Sequence, residues 1–382
     1  MGHRQLERWF PGITDDLVSG GARLGKGPAI QFYVDGALKA PVDDAQMIGA
    51  TRPFLERSVR KHVGSLPGVR FVTGRASGLL LPHNRVRGVR FRIEGDGAAH
   101  ELEADLVVDA MGRSSRLGSW LEQAGWPAPS LERMRVDLGY ATASFRRNGE
   151  LPDTVIAHSS PGPASNYQPT LSEPGALTAV EDNRWAVVLV GYAGYRPTRD
   201  PEAFLARMRR CVIPLQEVAQ TCELEGGIDT FHFHESQRRQ FTPLPRFPGG
   251  LVALGDAVAS VNPIYGQGLT LATLQASSLA AHLRSGANPH EPARGYFRRA
   301  EVVVDAAWQL CTTADLAQPH VTGPYPRAYP ILRWTADRIV EASVTDPEIN
   351  RVFMDVVNMV QHPRALTHPR ILLRTARRLL TR

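Results

Sequence analysis

Lysine is nearly missing from this 382-residue chain. Lys26, Lys39 and Lys61 are its three lysines, so the formal charge of +6, from 44 basic against 38 acidic residues, is carried almost wholly by arginine. An excess of that size can draw in anionic ligands but specifies no nucleic acid, and no RNA- or DNA-binding module signature is present. Cysteine is scarce too: Cys211, Cys222 and Cys311 cannot all pair and have no metal-ligand spacing, which suits a reducing cytoplasm. No apolar run reaches the ~18 residues of a membrane span, and the opening MGHRQLERWFPG lacks the pattern of a secretory signal. An apolar content of 43% and a charged content of 21% are those of an ordinary globular chain, and the length calls for two interleaved domains.

What is present is concentrated in Leu251 to Leu283, LVALGDAVASVNPIYGQGLTLATLQASSLAAHL. Leu251 to Gly255 reads as a buried strand, Asp256 to Gly266 as a turn-rich connection and Gln267 to Leu283 as a helix. Leu269, Ala272, Ala276, Leu279 and Leu283 follow helical spacing, and further apolar residues predict burial on most sides. Gly266 and Gly268 bracket the helix start, leaving its first N–H groups open to a ligand without a Cβ in the way. An electron-rich group there gains from the aligned peptide dipoles, roughly half a positive charge. Asp256 follows the strand, where an open α/β sheet binds ligands, and its carboxylate can accept hydrogen bonds from hydroxyls.

The stretch GDAVASVNPIYGQGLTLA resembles the second flavin-binding motif, Gly-Asp followed by Pro-x-x-Gly-x-Gly, of the FAD-dependent aromatic-hydroxylase superfamily, the group A flavoprotein monooxygenases. It is most similar to the bacterial subgroup that includes polyether-type epoxidases. The resemblance implies that Gly255 and Asp256 bind FAD at its ribityl chain, with Pro263, Gly266, Gln267, Gly268 and Leu269 beside the isoalloxazine ring. The bland alternative is a buried strand-loop-helix with a structural aspartate.

The first motif of such proteins, a strand followed by a Gly-x-Gly-x-x-Gly turn and a helix, is not found. Gly20 to Gly25 follows no apolar strand and reads as a loop. The resemblance therefore implies an FAD-binding Rossmann-like domain lacking its first βαβ unit of ~30 residues. Three explanations are open: a start placed downstream of the true one, a truncated product, or a variant that no longer holds FAD.

His3 to Gly20 reads as helix broken at Pro11 and Gly12, Gly27 to Val42, with Ala29 to Val34 in it, as an extended strand closing on a turn at Asp35 and Gly36, and Thr51 as the cap of a helix with Pro53 in its first turn. By the resemblance Arg52 lies near the FAD phosphates or ribose; a solvated arginine is the alternative. Val69 to Leu81, Arg85 to Ile93 and Glu101 to Val108 read as strands. The loop after the last of them is similar to the family's middle motif, which makes Asp109, Gly112, Arg113 and Arg116 cofactor candidates. Met111 departs from that pattern, and a plain strand-to-helix connection also fits.

From Arg135 the pattern becomes one of alternating strands, Arg135 to Phe145, Ala176 to Val180, Arg184 to Tyr192 and Ile228 to Phe233, with one helix, Pro201 to Val212. The expected organisation is α/β (α+β): an FAD domain over 1–134 and 246–290, an inserted antiparallel-sheet substrate domain over 135–245, and a helical C-terminus over 291–382. Tyr140, Trp185 and Tyr192 are candidate substrate contacts, or plain core. His232 and His234 share a strand face; no third ligand is visible, so they are read as substrate contacts and no metal is expected. The tail from Pro369 to Leu380 is a basic amphipathic helix, which either closes the domain or touches a membrane surface weakly.

The resemblance implies an FAD-dependent monooxygenase or epoxidase in which NAD(P)H reduces the flavin, O₂ adds at C4a, and the resulting hydroperoxide passes one oxygen to a small apolar substrate. It demands no side-chain nucleophile, so no catalytic residue is named. The absence of a Trp-x-Trp-x-Ile-Pro stretch argues against the related halogenases. A lipid or isoprenoid reductase of the geranylgeranyl type and a noncatalytic remnant remain as rivals.

Overall fold

Leu251, Val252 and Ala253 are buried, as an apolar run between turns predicts, and form a strand that pairs in parallel with Val107–Asp109. The computed structural model describes residues 1–93, 95, 98–160 and 172–380. The helix that follows the strand spans Gly268–Arg284 and packs chiefly against the helix Arg294–Asp315. Its buried stripe is Leu271, Gln275 and Leu279, whereas Leu269 and Leu283 are 51% and 40% exposed. The expectation of burial on most sides is thus corrected. An apolar stripe can face a cleft as well as a core, and spacing alone does not separate the two.

Among the described residues the largest sheet has eight strands, in the order Ala259–Ser260, Leu224–Gln240, Ser130–Arg146, Arg184–Tyr192, Gly175–Val180, Ile156–Ser160, Ile30–Val34 and Ala37–Leu38. All neighbours are antiparallel except Ile156–Ser160 with Ile30–Val34. The inserted sheet therefore borrows two strands from the N-terminal part of the chain. Side chains alternate across it: Ala141, Ala143 and Phe145 enter one core with Trp185 and Phe204, while Met134, Val136 and Leu138 enter another with Tyr192 and Phe233. The first of these faces is covered by the helices Pro201–Met208 and Ile213–Thr221; the first is shorter than the expected Pro201 to Val212, and the second lies outside the expected helix.

Several strand boundaries differ from expectation. Within Val69 to Leu81 only Arg75–Leu80 is a strand; residues 69–74 have no β partner among the described residues, and Phe71 and Val72 stay 56% and 51% exposed. An apolar run becomes a strand only where a neighbouring backbone accepts its hydrogen bonds. Glu101 to Val108 divides into Ala99–Glu103 and Val107–Asp109, which belong to different sheets. Gly20 to Gly25, read as a loop, in fact contributes Arg23, Leu24 and Gly25 to the strand Arg23–Lys26, which pairs with Gln46–Gly49.

The C-terminal region is helical as expected, with Arg294–Asp315, Tyr329–Ser343, Pro347–Val357 and Pro369–Leu380. The tail helix packs on Tyr329–Ser343 and buries Ile371. Its basic side chains meet acids of the same region: Arg374 reaches Asp346 and Glu348, and Arg370 reaches Glu348. Among the described residues no helix is long and apolar enough to cross a membrane.

Phe145 is fully buried and its ring stacks on Phe204 at 6.5 Å between centroids. Phe145→Ala should lower stability by about 3–5 kcal/mol in urea unfolding, because the cavity lies between a sheet and helices that cannot both collapse into it.

Candidate functional site

The parallel pair delivers two aspartates to the same end of the sheet. Asp109 closes its strand, and Asp256 lies three residues beyond the buried strand end in a short turn. They do different work. The Asp109 side chain is 4% exposed and accepts hydrogen bonds from the Met111 amide at 3.0 Å and the Ser115 hydroxyl, so it caps its own loop. Gly112 turns that loop with φ +74°, and Arg116 is exposed at its end.

Asp256 instead opens to solvent from within a recess. Burial of the recess raises its carboxyl pKa, opposed by a hydrogen bond from Ser260 and by the charges of Arg52 and Arg113. Arg52 opens the helix Arg52–Gly64, which Thr51 caps by accepting from the Phe54 amide at 3.3 Å. Its guanidinium pairs with Glu56 at 2.7 Å, and Asp256 and Tyr140 both contribute to its electrostatic environment. Arg52, Asp256 and Tyr140, far apart in the chain, are thereby brought to one neighbourhood.

The glycine turn lies close by. Gly255 adopts φ +65° and donates to the Gln275 side chain at 3.0 Å, locking the strand end to the long helix. Pro263–Tyr265 form a 3-10 turn that ends at Gly266, also with φ +65°, a left-handed conformation that favours glycine. A Cβ at Gly268 would meet open space, so packing does not demand glycine there. The helix N-terminus is accordingly bare at Gly268 and Leu269. The Gln267 side chain points elsewhere: it is buried, donates to the Val357 carbonyl at 3.0 Å and accepts from Cys311. A cleft of about 1530 Å³ reaches Gly266 and Leu269 at one end; Asp256, Arg52 and Tyr140 lie outside its lining.

Two groups that sequence reasoning missed hold this arrangement. Arg239 is half-buried and donates to the carbonyls of Ala257, Arg113 and Ser115 at 2.9, 3.1 and 3.3 Å, joining the loops after both parallel strands. Asp315, fully buried, accepts from Tyr265 at 2.7 Å, Asn262 at 2.8 Å and Tyr192 at 3.3 Å, so the turn before the helix is tied to the C-terminal region. No motif marks either residue, because their partners come from other elements.

Of the substrate candidates, Tyr140 and Tyr192 are on the sheet face that meets Ile264 of the turn, with Tyr140 next to the Phe231 ring at 5.3 Å. Tyr192 is buried in the Asp315 network rather than lining open space. Trp185 is fully buried on the opposite face, its indole donating to Glu150, and so is not brought to the recess. His232 and His234 also lie away from it. The absence of a third ligand-type side chain near them is corrected: Asp137, from the neighbouring strand, lies within 4.8 Å of both. Arg196 already pairs with Asp137 and contacts His232 at 3.1 Å, so the cluster carries its own cation.

Burial pushes the Asp315 carboxyl up to about 7, while its three donors pull the other way. In the unfolded chain it would ionise near 4, so the stability it contributes is full below that pH and is lost as pH rises through about 7. Between those limits the loss amounts to a few kcal/mol, at about 1.4 kcal/mol per pKa unit. Asp315→Asn should therefore flatten the fall in melting temperature between pH 4 and 7, measured by thermal unfolding across that range.

No protein-family model matches the chain. The Mycobacterium tuberculosis protein Rv3254 is 29% identical over 373 residues, a match covering 92% of this chain and 77% of that relative. Among solved structures, a triple mutant of the flavin-dependent brominase Bmp2 superposes with a TM-score of 0.60 at 16% identity, over 92% of this chain and 88% of that one. The p-nitrophenol 4-monooxygenase PnpA from Pseudomonas putida DLL-E4 does so with a TM-score of 0.61 at 14% identity, over 93% and 86%. At such identities the likeness establishes the fold: this chain has the mixed α/β architecture of those flavin-dependent proteins.

Proposed function

We propose that the chain is a flavin-dependent oxidoreductase of the monooxygenase type, acting with FAD, NAD(P)H and O₂ on a small apolar substrate. The observation that carries this reading is the bare helix start at Gly268, beside a left-handed glycine turn and close to the strand that leads into Asp256. Open space at Gly268 is a cradle that a Cβ would partly fill, and an open carboxylate in a recess suits a polyhydroxyl chain. The residues present thus fit the ribityl and ring portion of FAD.

FAD, when bound, supplies two-electron chemistry and the activation of O₂. Asp256 would accept hydrogen bonds from its ribityl hydroxyls. The amides of Gly268 and Leu269 would stabilise negative charge on the ring through the helix dipole. The apolar side chain of Leu269 would keep water from the reacting face. Arg52 and Arg116 would attract the anionic cofactor, and Asp109 and Gly112 would shape the loop that meets it. Oxygen delivery to an alkene, giving an epoxide, is the finer form of this proposal and follows from the subgroup its motif resembles.

Because neither space nor backbone conformation demands glycine at position 268, Gly268→Val should fold normally yet weaken FAD binding about tenfold or more, and Asp256→Ala should do likewise through a lost charge-assisted hydrogen bond. Titration of FAD followed by absorbance, with the melting temperature as a folding control, measures both. A wild-type chain without affinity for flavin, or variants with unchanged affinity, would overturn the reading.

A further inference from the structure

One of the chain's three lysines is inside it. Lys39 is 4% exposed and lines the cleft that reaches Leu269. Its ammonium lies 4.0 Å from the centre of the Phe353 ring, and no carboxylate pairs with it among the described residues. A cation–π contact offsets only part of the cost of desolvating an ammonium. The imbalance shows in its titration, since burial pushes the amine down to about 7.

The position is fixed with care for so costly a group. The Lys39 amide donates to the Phe32 carbonyl at 2.8 Å, the Ala40 amide to Val344 at 3.2 Å, and the Ala40 carbonyl accepts from the Asn350 side chain at 2.6 Å. Asn350 is 2% exposed and lines the same cleft; with its amide nitrogen committed to Ala40, its Oδ1 has no hydrogen-bond partner among the described residues. Lys39 and Asn350 thus both line the cleft, the one without a paired carboxylate and the other with an Oδ1 that has no partner among the described residues, and a single ligand could supply both. His158, half-buried and close enough to feel the Lys39 charge, is held below the ordinary imidazole range chiefly by desolvation; neither of its protonation states is an anion, so it is no counter-ion for Lys39.

We propose that Lys39 and Asn350 anchor the head group of an amphipathic acid, the ligand carboxylate pairing with the Lys39 ammonium and a neighbouring hydroxyl or amide N–H donating to Asn350 Oδ1. The ligand's apolar body would lie along the cleft towards Leu269. A hydroxy acid or an N-acylated amino acid on a hydrocarbon chain has this chemistry. The inference rests on the flavin reading only in making the cleft a substrate site, and its test contains no flavin, so failure of either can be told from failure of the other.

Reductive methylation of the native, full chain with formaldehyde and cyanoborohydride at pH 7, mapped by peptide mass spectrometry, reports the reactivity of all three lysines. Lys39 should react faster than Lys26 and Lys61, because more of its amine is neutral. Adding 3-hydroxydecanoate should slow Lys39 about tenfold, the effect of roughly one pKa unit of ion-pair stabilisation, without slowing the other two. Methyl 3-hydroxydecanoate, which has no charge, should not. An unreactive Lys39 in the native chain, no protection by the acid, or equal protection by acid and ester would each overturn the proposal.

Discussion

A single buried carboxyl holds the glycine turn in place. Asp315 sits at the end of Arg294–Asp315 and gathers Tyr265, Asn262 and Tyr192, two of which belong to the turn that leads into Gly268. Asn262 also accepts from the Ile264 amide at 3.1 Å, so the same side chain shapes the turn and fastens it. A loop that exposes a helix N-terminus cannot be stabilised from its ligand side. Here it is restrained from behind, by a polar group that would be costly to bury unless its donors were arranged around it. Preorganisation of the helix start is therefore a property of three regions of the chain at once: the turn itself, the inserted sheet through Tyr192, and the C-terminal helix.

The eight-stranded sheet divides the labour by face. One face, with Phe145 and Trp185, is a closed core under two helices, the first of which adds Phe204, and its contribution is stability. The other, with Leu138, Tyr192 and Phe233, packs against the turn through Ile264 and leaves Tyr140 and Phe231 at its margin. The two-residue period of a strand decides which side chains can meet a ligand. Tyr140 and Trp185, both strand aromatics, end on opposite faces for that reason. The histidine pair falls on the face opposite Leu138 and Phe233, where Asp137 and Arg196 complete a charged cluster.

Much of this was legible from residue order. Gly-Asp after an apolar strand and a Pro-x-x-Gly-x-Gly turn before a helix are local patterns, and both elements form where their spacing puts them, as do the Thr51 cap and the C-terminal helices. Long-range facts were not legible. The stripe containing Leu269 looked like core because an apolar side chain facing a cleft and one facing a neighbour have the same spacing. Asp137 could not be assigned to His232 and His234 without knowing which strands pair. Arg239 and Asp315 act on backbone carbonyls and on side chains from distant elements, and nothing in the flanking sequence distinguishes them from other charged residues. Residues 69–74 show the converse: a convincing strand pattern with no neighbouring strand to pair with forms no strand.

The near-absence of lysine acquires a physical meaning in this setting. Arginine keeps its charge under almost any burial and spreads its donors over several carbonyls, as Arg239 does, so a chain that staples loops through buried cations does better with guanidinium than ammonium. Lysine is the poorer staple because its charge is compact and its pKa moves with its surroundings. Lys39 sits where those weaknesses are useful. A guanidinium at that site would stay charged with or without a ligand and would bear the desolvation cost permanently. An amine held near neutrality can shed its proton in the empty cleft and take it back when an acid arrives, so the cost of a buried charge falls only on the bound state, where a partner offsets it.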